Sequence, residues 1–129
     1  MSELKVGLVY ETKKIVEEAD TAAKFGSGGV YVFATPMMIG IMENAAMHCV
    51  AEALGQEEST VGIHLDVKHM AATPMGMEVR ALAELIEIDG KKLKFKVEAF
   101  DEKEKIGEGT HDRFIINVEK FMSRLESKK

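Results

Sequence analysis

Residues 35–55, TPMMIGIMENAAMHCVAEALG, decide how the rest of this chain is read. The segment opens like a helix. Thr35 carries a hydroxyl that can cap free backbone N–H groups, and Pro36 suits the first helical position, where no N–H is needed. Gly55 stands where a left-handed C-terminal cap is expected. The run between them is too apolar for a surface helix, yet its charges are too closely spaced for a membrane span. Such a helix must be covered on most sides, so the remaining chain is expected to wrap it.

The polar residues inside the run divide into two groups. At about 100° per residue, Asn44, His48 and Glu52 fall about 100–180° from Glu43 and share one face, which reads as the wetter side. Glu43 instead falls within about 60° of Ile39, Ala46, Met47, Val50 and Leu54, so it interrupts the apolar stripe. A carboxylate in that position must find a hydrogen-bond partner, shift its pKa or do chemistry. The plain alternative is a glutamate at the stripe's edge, its stem packed and its head in water. The spacing leaves both open.

Composition narrows the classes. A chain of 129 residues fits one domain, residues 1–129, with a core of useful size. The net charge of −5 argues against a general nucleic-acid binder. One cysteine, Cys49, excludes an internal disulfide and suits a reducing, cytoplasmic setting; on the central helix it reads as a small apolar residue. Ser2, Glu3 and Lys5 break up any leader-like start, and no apolar run reaches the roughly 20 residues of a membrane helix. Nine methionines and no tryptophan give an adaptable apolar interior.

Working outward from the helix, Leu4–Val16 reads as extended structure, with Val6, Leu8, Tyr10 and Thr12 on one face. Lys24–Gly29, KFGSGG, is the most flexible stretch, but it lacks the spacing of a phosphate-binding loop. Downstream, Ser59–Ala72 alternates Val61, Ile63, Leu65 and Val67 with Gly62, His64, Asp66 and Lys68, as a half-buried strand does. Val79–Ile88 and Leu93–Phe100 are two more strands joined through Asp89-Gly90, a hairpin signal. Ile106–Val118 is a further strand, and Glu119–Leu125 a short terminal helix with a frayed SKK end. About five antiparallel strands around one long helix make an α+β fold. A sheet this small leaves an edge bare and the helix partly uncovered, which a homodimer or a dimer of dimers would cure.

Three stretches carry a resemblance: FATPMMIGIMENAA (33–46), STVGIHLDVKHMAATPMG (59–76) and GEGTHDR (107–113). They resemble the corresponding stretches of the hot-dog acyl-CoA thioesterases, specifically the fluoroacetyl-CoA thioesterase-like group, over about Val32–Phe121. The resemblance implies a hot-dog fold and hydrolysis of an acyl-CoA thioester. It also implies a catalytic set of Thr35, Glu43 and His69, with the Gly62 backbone N–H on the thioester carbonyl and Arg113 on the substrate; Phe33, with Met37 and Met38, reads as apolar lining for a short or medium acyl chain. No cofactor or metal is implied, since coenzyme A is part of the substrate. The likeness weakens before the helix: Phe25 is the only aromatic between Asp20 and Val30, where the fluoroacetyl-specific enzymes carry an aromatic lid.

The residues allow these roles and blander ones. Thr35 at a helix start could help developing negative charge, or simply cap. His69, between a strand and a small-residue turn, suits a general base or a structural histidine. Gly62 marks a close backbone approach or a bulge. His64 and Asp66 share a face, but two ligands do not make a zinc site. His111 and Arg113 share a face opposite Asp112. Lys91, Lys92, Lys94 and Lys96 make a basic run that reads as a solvated face or, alternatively, as a contact for the phosphates of coenzyme A. Two other functions fit the same scaffold. One is a non-catalytic acyl-CoA-binding module; the other is an enoyl-CoA hydratase, for which His48 is the available helix histidine.

Overall fold

The structure is a computed structural model that describes residues 3–129; Met1 and Ser2 lie outside the described residues. Five strands, β1 (Val9–Ile15), β2 (Glu58–His69), β3 (Glu78–Asp89), β4 (Lys92–Phe100) and β5 (Lys105–Asn117), form one antiparallel sheet. Their order is β1-β3-β4-β5-β2, so β1 and β2 are its edges. A short helix α1 (Ala22–Phe25) precedes the long α2 (Thr35–Ala51), and α3 (Val118–Leu125) follows β5. This is the α+β hot-dog architecture expected from the sequence. No described helix is long and apolar enough to cross a membrane.

The period-2 strands and the apolar helix meet in one core. Met38, Met42, Ala45, Ala46 and Val50 of α2 are buried against Val79, Ala81, Ala83 and Leu85 of β3 and Leu93, Phe95, Val97 and Ala99 of β4. The alanines keep helix and sheet close, while Met38, Met42 and Phe95 each bring about 1.5–3 kcal/mol of apolar burial. The β3–β4 hairpin turns at Gly90, whose φ of 63° suits the first central position of a tight two-residue loop. The GEGTHDR stretch has a packing reason as well. A Cβ on Gly107 would stand 2.5 Å from Met38 Sδ, and one on Gly109 would run into the Asp66 carbonyl of β2.

Several expectations are corrected. Ala34, not Thr35, is the helix N-cap, and it offers no side-chain bond; Thr35 is already helical, so its hydroxyl is free for other work. The helix closes at Ala51 with Glu52 as its right-handed cap, and Gly55 is not among the left-handed glycines. Glu43 does not sit in the middle of the buried stripe. That stripe runs through Met38, Met42, Ala45 and Cys49, about 100° around the helix from Glu43 at its centre, because the sheet covers that side. The Glu43 side chain is 40% exposed, at the stripe's edge beside half-covered Ile39 and Met47. The face of Asn44 and His48 is indeed the exposed one: Asn44 accepts a hydrogen bond from Thr12 of β1, and His48 stacks on Tyr10.

The simple alternation read in β2 is broken by a bulge between Gly62 and His64. Gly62 pairs with Arg113, whereas Leu65 pairs with His111, so Thr60, Gly62, Leu65, Val67 and His69 face the helix. β1 begins at Val9 rather than Leu4, after a turn at Gly7 with φ of 105°. The glycine-rich stretch begins inside an unforeseen helix, α1, which is capped by Thr21 and closed by Gly26 in the left-handed region. At the terminal SKK, residues Glu126–Lys128 form a final 3-10 turn.

Candidate active site

Thr35 and His69 come from separate elements, and the backbone between them explains why they meet. Phe33 N–H donates to the Thr73 carbonyl at 2.9 Å, and Val32 bridges to Pro74, which ties the helix lead-in to the loop after β2. Asp20 holds the other side: its carbonyl accepts from Ala34 N–H at 2.9 Å. The result places Thr35 Oγ1 2.7 Å from His69 Nδ1. Both line a cavity of about 340 Å3 with Phe33, Met70, Ala71 and Ala72. Thr35 is exposed there, His69 is half-buried and Phe33 is fully buried beneath them.

Burial pushes the His69 imidazole below its ordinary value, with the nearby Ala71 backbone acting against it. A neutral ring accepting the Thr35 hydroxyl proton at Nδ1 carries its own proton on Nε2, which is buried with no protein partner. That arrangement fits a base acting on an oxygen at the mouth of a cavity. It also lies at the N-terminus of a 17-residue helix, where free N–H groups favour negative charge.

Glu43, Gly62 and Arg113 form a second group. Glu43 is eight residues beyond Thr35 on α2, or about 12 Å along the helix axis, so the described chain does not bring Glu43 to the Thr35–His69 pair. Arg113 Nη1 is 4.0 Å from Glu43 Oε2, and the Arg113 side chain is 8% exposed. Each of its three nitrogens makes a hydrogen bond: Nε donates to Thr60 Oγ1 at 2.7 Å, Nη2 to the Thr60 carbonyl at 2.8 Å, and Nη1 to His111 Nε2 at 3.1 Å. Burial lowers the Arg113 pKa while the Glu43 charge raises it. Gly62 completes the group by absence, because a Cβ there would lie 2.9 Å from Glu43 Oε2 and 3.1 Å from His111 Cε1.

The profile of the fluoroacetyl-CoA-specific thioesterase family matches residues 16–119. The chain belongs to that family. The fluoroacetyl-CoA thioesterase of Streptantibioticus cattleyicolor is 41% identical over 97 residues, covering 75% of this chain and 70% of the relative. Among solved structures of the fluoroacetyl-CoA thioesterase, one is 33% identical with a TM-score of 0.92 over 99% of each chain. Another, a mutant in complex with acetyl-CoA, has a TM-score of 0.93 at 32% identity, covering 98% of this chain and 99% of that one. A Thermus thermophilus protein described as a thioesterase superfamily member is 26% identical, with a TM-score of 0.87 over 99% of this chain and 97% of its own.

Within the family frame, the sequence reading missed Thr60 as a partner of Arg113 and His111 as more than a neighbour. The i, i+2 spacing of His111 and Arg113 put them on one face; Thr60 appears beside them only once the β2–β5 register is known. His48, the helix histidine of the hydratase alternative, is committed elsewhere. It lies on the β1 side of α2, its ring 5.1 Å from that of Tyr10 and its Nδ1 2.9 Å from the Asn44 carbonyl. Asp112 faces away from Arg113, with Oδ2 near His64 and Lys92 at 4.0 and 3.9 Å. Among the described residues no group of three or more His, Cys, Asp or Glu side chains is placed to hold a metal.

Proposed function

We propose that this protein hydrolyses an acyl-CoA thioester at a site that two copies of the chain complete together. The observation that carries the chemistry is the 2.7 Å contact between Thr35 Oγ1 and His69 Nδ1 beside an open cavity. Family membership supplies the thioester. Either of two oxygens fits that pair: the Thr35 hydroxyl, or a water held by Thr35 and His69. His69 takes the proton as the new C–O bond forms. Charge gathers on the former carbonyl oxygen, where the partner subunit's Gly62 backbone and the α2 N-terminus would offer N–H donors. When the C–S bond breaks, His69 returns the proton to the departing thiolate; with water as nucleophile this leaves a carboxylic acid and coenzyme A. With Thr35 as nucleophile it leaves coenzyme A and an acyl ester on Oγ1; in a second cycle His69 takes a proton from water, the acyl C–O bond to Thr35 breaks, and the proton returns to Oγ1 as the acid leaves.

The 12 Å step between Thr35 and Glu43 is what calls for a partner. α2 is open along Ile39, Gly40, Glu43 and Met47, and β2 is a free edge with Ile63 52% and Leu65 40% exposed. A twofold axis running the two α2 helices antiparallel would cover this strip. It would also bring the partner subunit's Glu43 and Gly62 toward the Thr35–His69 pair.

Thiol release from a panel of acyl-CoAs, followed for wild type, Thr35→Ala, Glu43→Gln and His69→Ala, tests the activity. Tight acyl-CoA binding without thiol release by the wild type would make the protein a binding module instead. Mixing His69→Ala with Glu43→Gln chains tests the shared site. Random reassociation makes half the dimers mixed, each with one intact site of two, so roughly a quarter of wild-type turnover should return. No recovery from a mixture shown to exchange subunits would refute the shared site.

A further inference from the structure

We infer that His111 is a positioning residue of this site: it fixes the Arg113 guanidinium beside Glu43 and fastens the β2 bulge that presents the Gly62 backbone. The inference rests on the thioesterase reading and assigns His111 no contact with substrate.

His111 is fully buried on the helix-facing side of β5 and uses both ring nitrogens. Nε2 lies 3.1 Å from Arg113 Nη1, which is always a donor, so Nε2 must be the acceptor. The ring proton then sits on Nδ1 and donates to the His64 carbonyl at 2.8 Å. His64 is the first paired residue after the bulge, and Gly62 the last before it. One imidazole in one tautomer therefore sets two things. The bulge is held in place, and Arg113 Nη1 is held between the ring and the Glu43 carboxylate, 4.0 Å away. The ring also packs close to Gly62, since a Cβ there would meet His111 Cε1 at 3.1 Å. Bulges near active sites commonly re-aim the backbone in this way.

The charged groups around the ring are consistent with its staying neutral. Burial lowers its pKa most, Arg113 lowers it further, and Glu43 and Asp112 act in the opposite direction; the His64 carbonyl bond also raises it, and Phe95 on β4 contributes only an aromatic face. A proton on Nε2 would set a second cation against Arg113 and remove the acceptor. Acid should therefore disable the site through His111 as well as through His69.

Three variants test this with the acyl-CoA that the wild type turns over best. His111→Leu removes both bonds, His111→Asn keeps a donor near Nδ1, and His111→Gln keeps an acceptor near Nε2. Expected is a kcat loss of about 30-fold or more for Leu with KM changed less than about threefold, and partial recovery for Asn or Gln. The wild-type acid limb should show a slope of about 2 in log kcat against pH, from two protonations, and His111→Gln a slope of about 1. Wild-type kcat in His111→Leu, or an unchanged slope in His111→Gln, would overturn the inference. If the Leu variant does not fold, the Asn and Gln variants decide by the same slope and by their kcat. Absence of thiol release by the wild type itself would remove the thioesterase reading first, and this inference with it.

Discussion

The two halves of the candidate site are built in opposite ways. The Thr35–His69 half is open: a helix end and a loop are tied by backbone bonds, and the two side chains meet at the rim of a cavity. The half formed by Glu43, Gly62 and Arg113 is packed: a buried guanidinium has its donors placed on Thr60 and His111, and its charge faces Glu43. Loops can be shaped for chemistry at little cost to the core, whereas a buried ionic network is also part of the fold. Damage to the open half should therefore fall on turnover, and damage to the packed half on stability as well.

The largest effect is expected from His69→Ala. Loss of the base should lower turnover by about 10³-fold while the thermal midpoint moves by no more than a few degrees. Thiol-release kinetics beside a melting curve would show the two responses separating. Arg113→Met should do the reverse first: about 3 kcal/mol of stability goes, measured by urea unfolding, because His111 and Thr60 lose their shared partner inside the protein. A stability change below about 1 kcal/mol would erase the distinction between the halves.

Gly62→Ala sharpens the contrast. The first atom its Cβ would meet is the end of the flexible Glu43 side chain, but the buried His111 ring stands 3.1 Å away and must yield as well, so the fold should lose about 1–2 kcal/mol. Displacing that carboxylate should still lower kcat about 10-fold. The smallest effect is that of pH on stability. His69 and His111 both have pKa values below the ordinary imidazole value, so below about pH 6.5 the unfolded chain binds more protons than the folded one. Their stabilising contribution is complete above that pH and declines as pH falls toward the folded values. Urea midpoints measured from pH 8 down to pH 5 should decrease accordingly.

Much of this molecule was legible before any coordinates. The apolar run after Thr35-Pro36, the alternation of Leu93, Phe95, Val97 and Ala99, and Asp89-Gly90 are local signals, and each became the expected element. Local signals failed where the outcome depends on a distant neighbour. Thr35 looked like a cap because caps are made of such residues, but the His69 ring lies within reach and Ala34 takes the cap position. β2 looked like a clean alternation because a one-residue bulge leaves no mark in a row of valines and leucines; its pairing with β5 moves the face.

Glu43 shows the division most clearly. Helical periodicity fixed its neighbours on α2, since 3.6 residues per turn is a property of the backbone. Whether that face is buried was settled by which side the sheet covers, and β3 and β4 cover the side of Met42. The sequence by itself determined the elements, their apolar faces and which side chains are candidates for the site. Only the tertiary structure decided that Thr35 meets His69, that Arg113 is held by Thr60 and His111, and that Glu43 stands apart from the first pair. Contacts between residues 34 or 53 positions apart depend on register and packing, and the chain carries no local record of either.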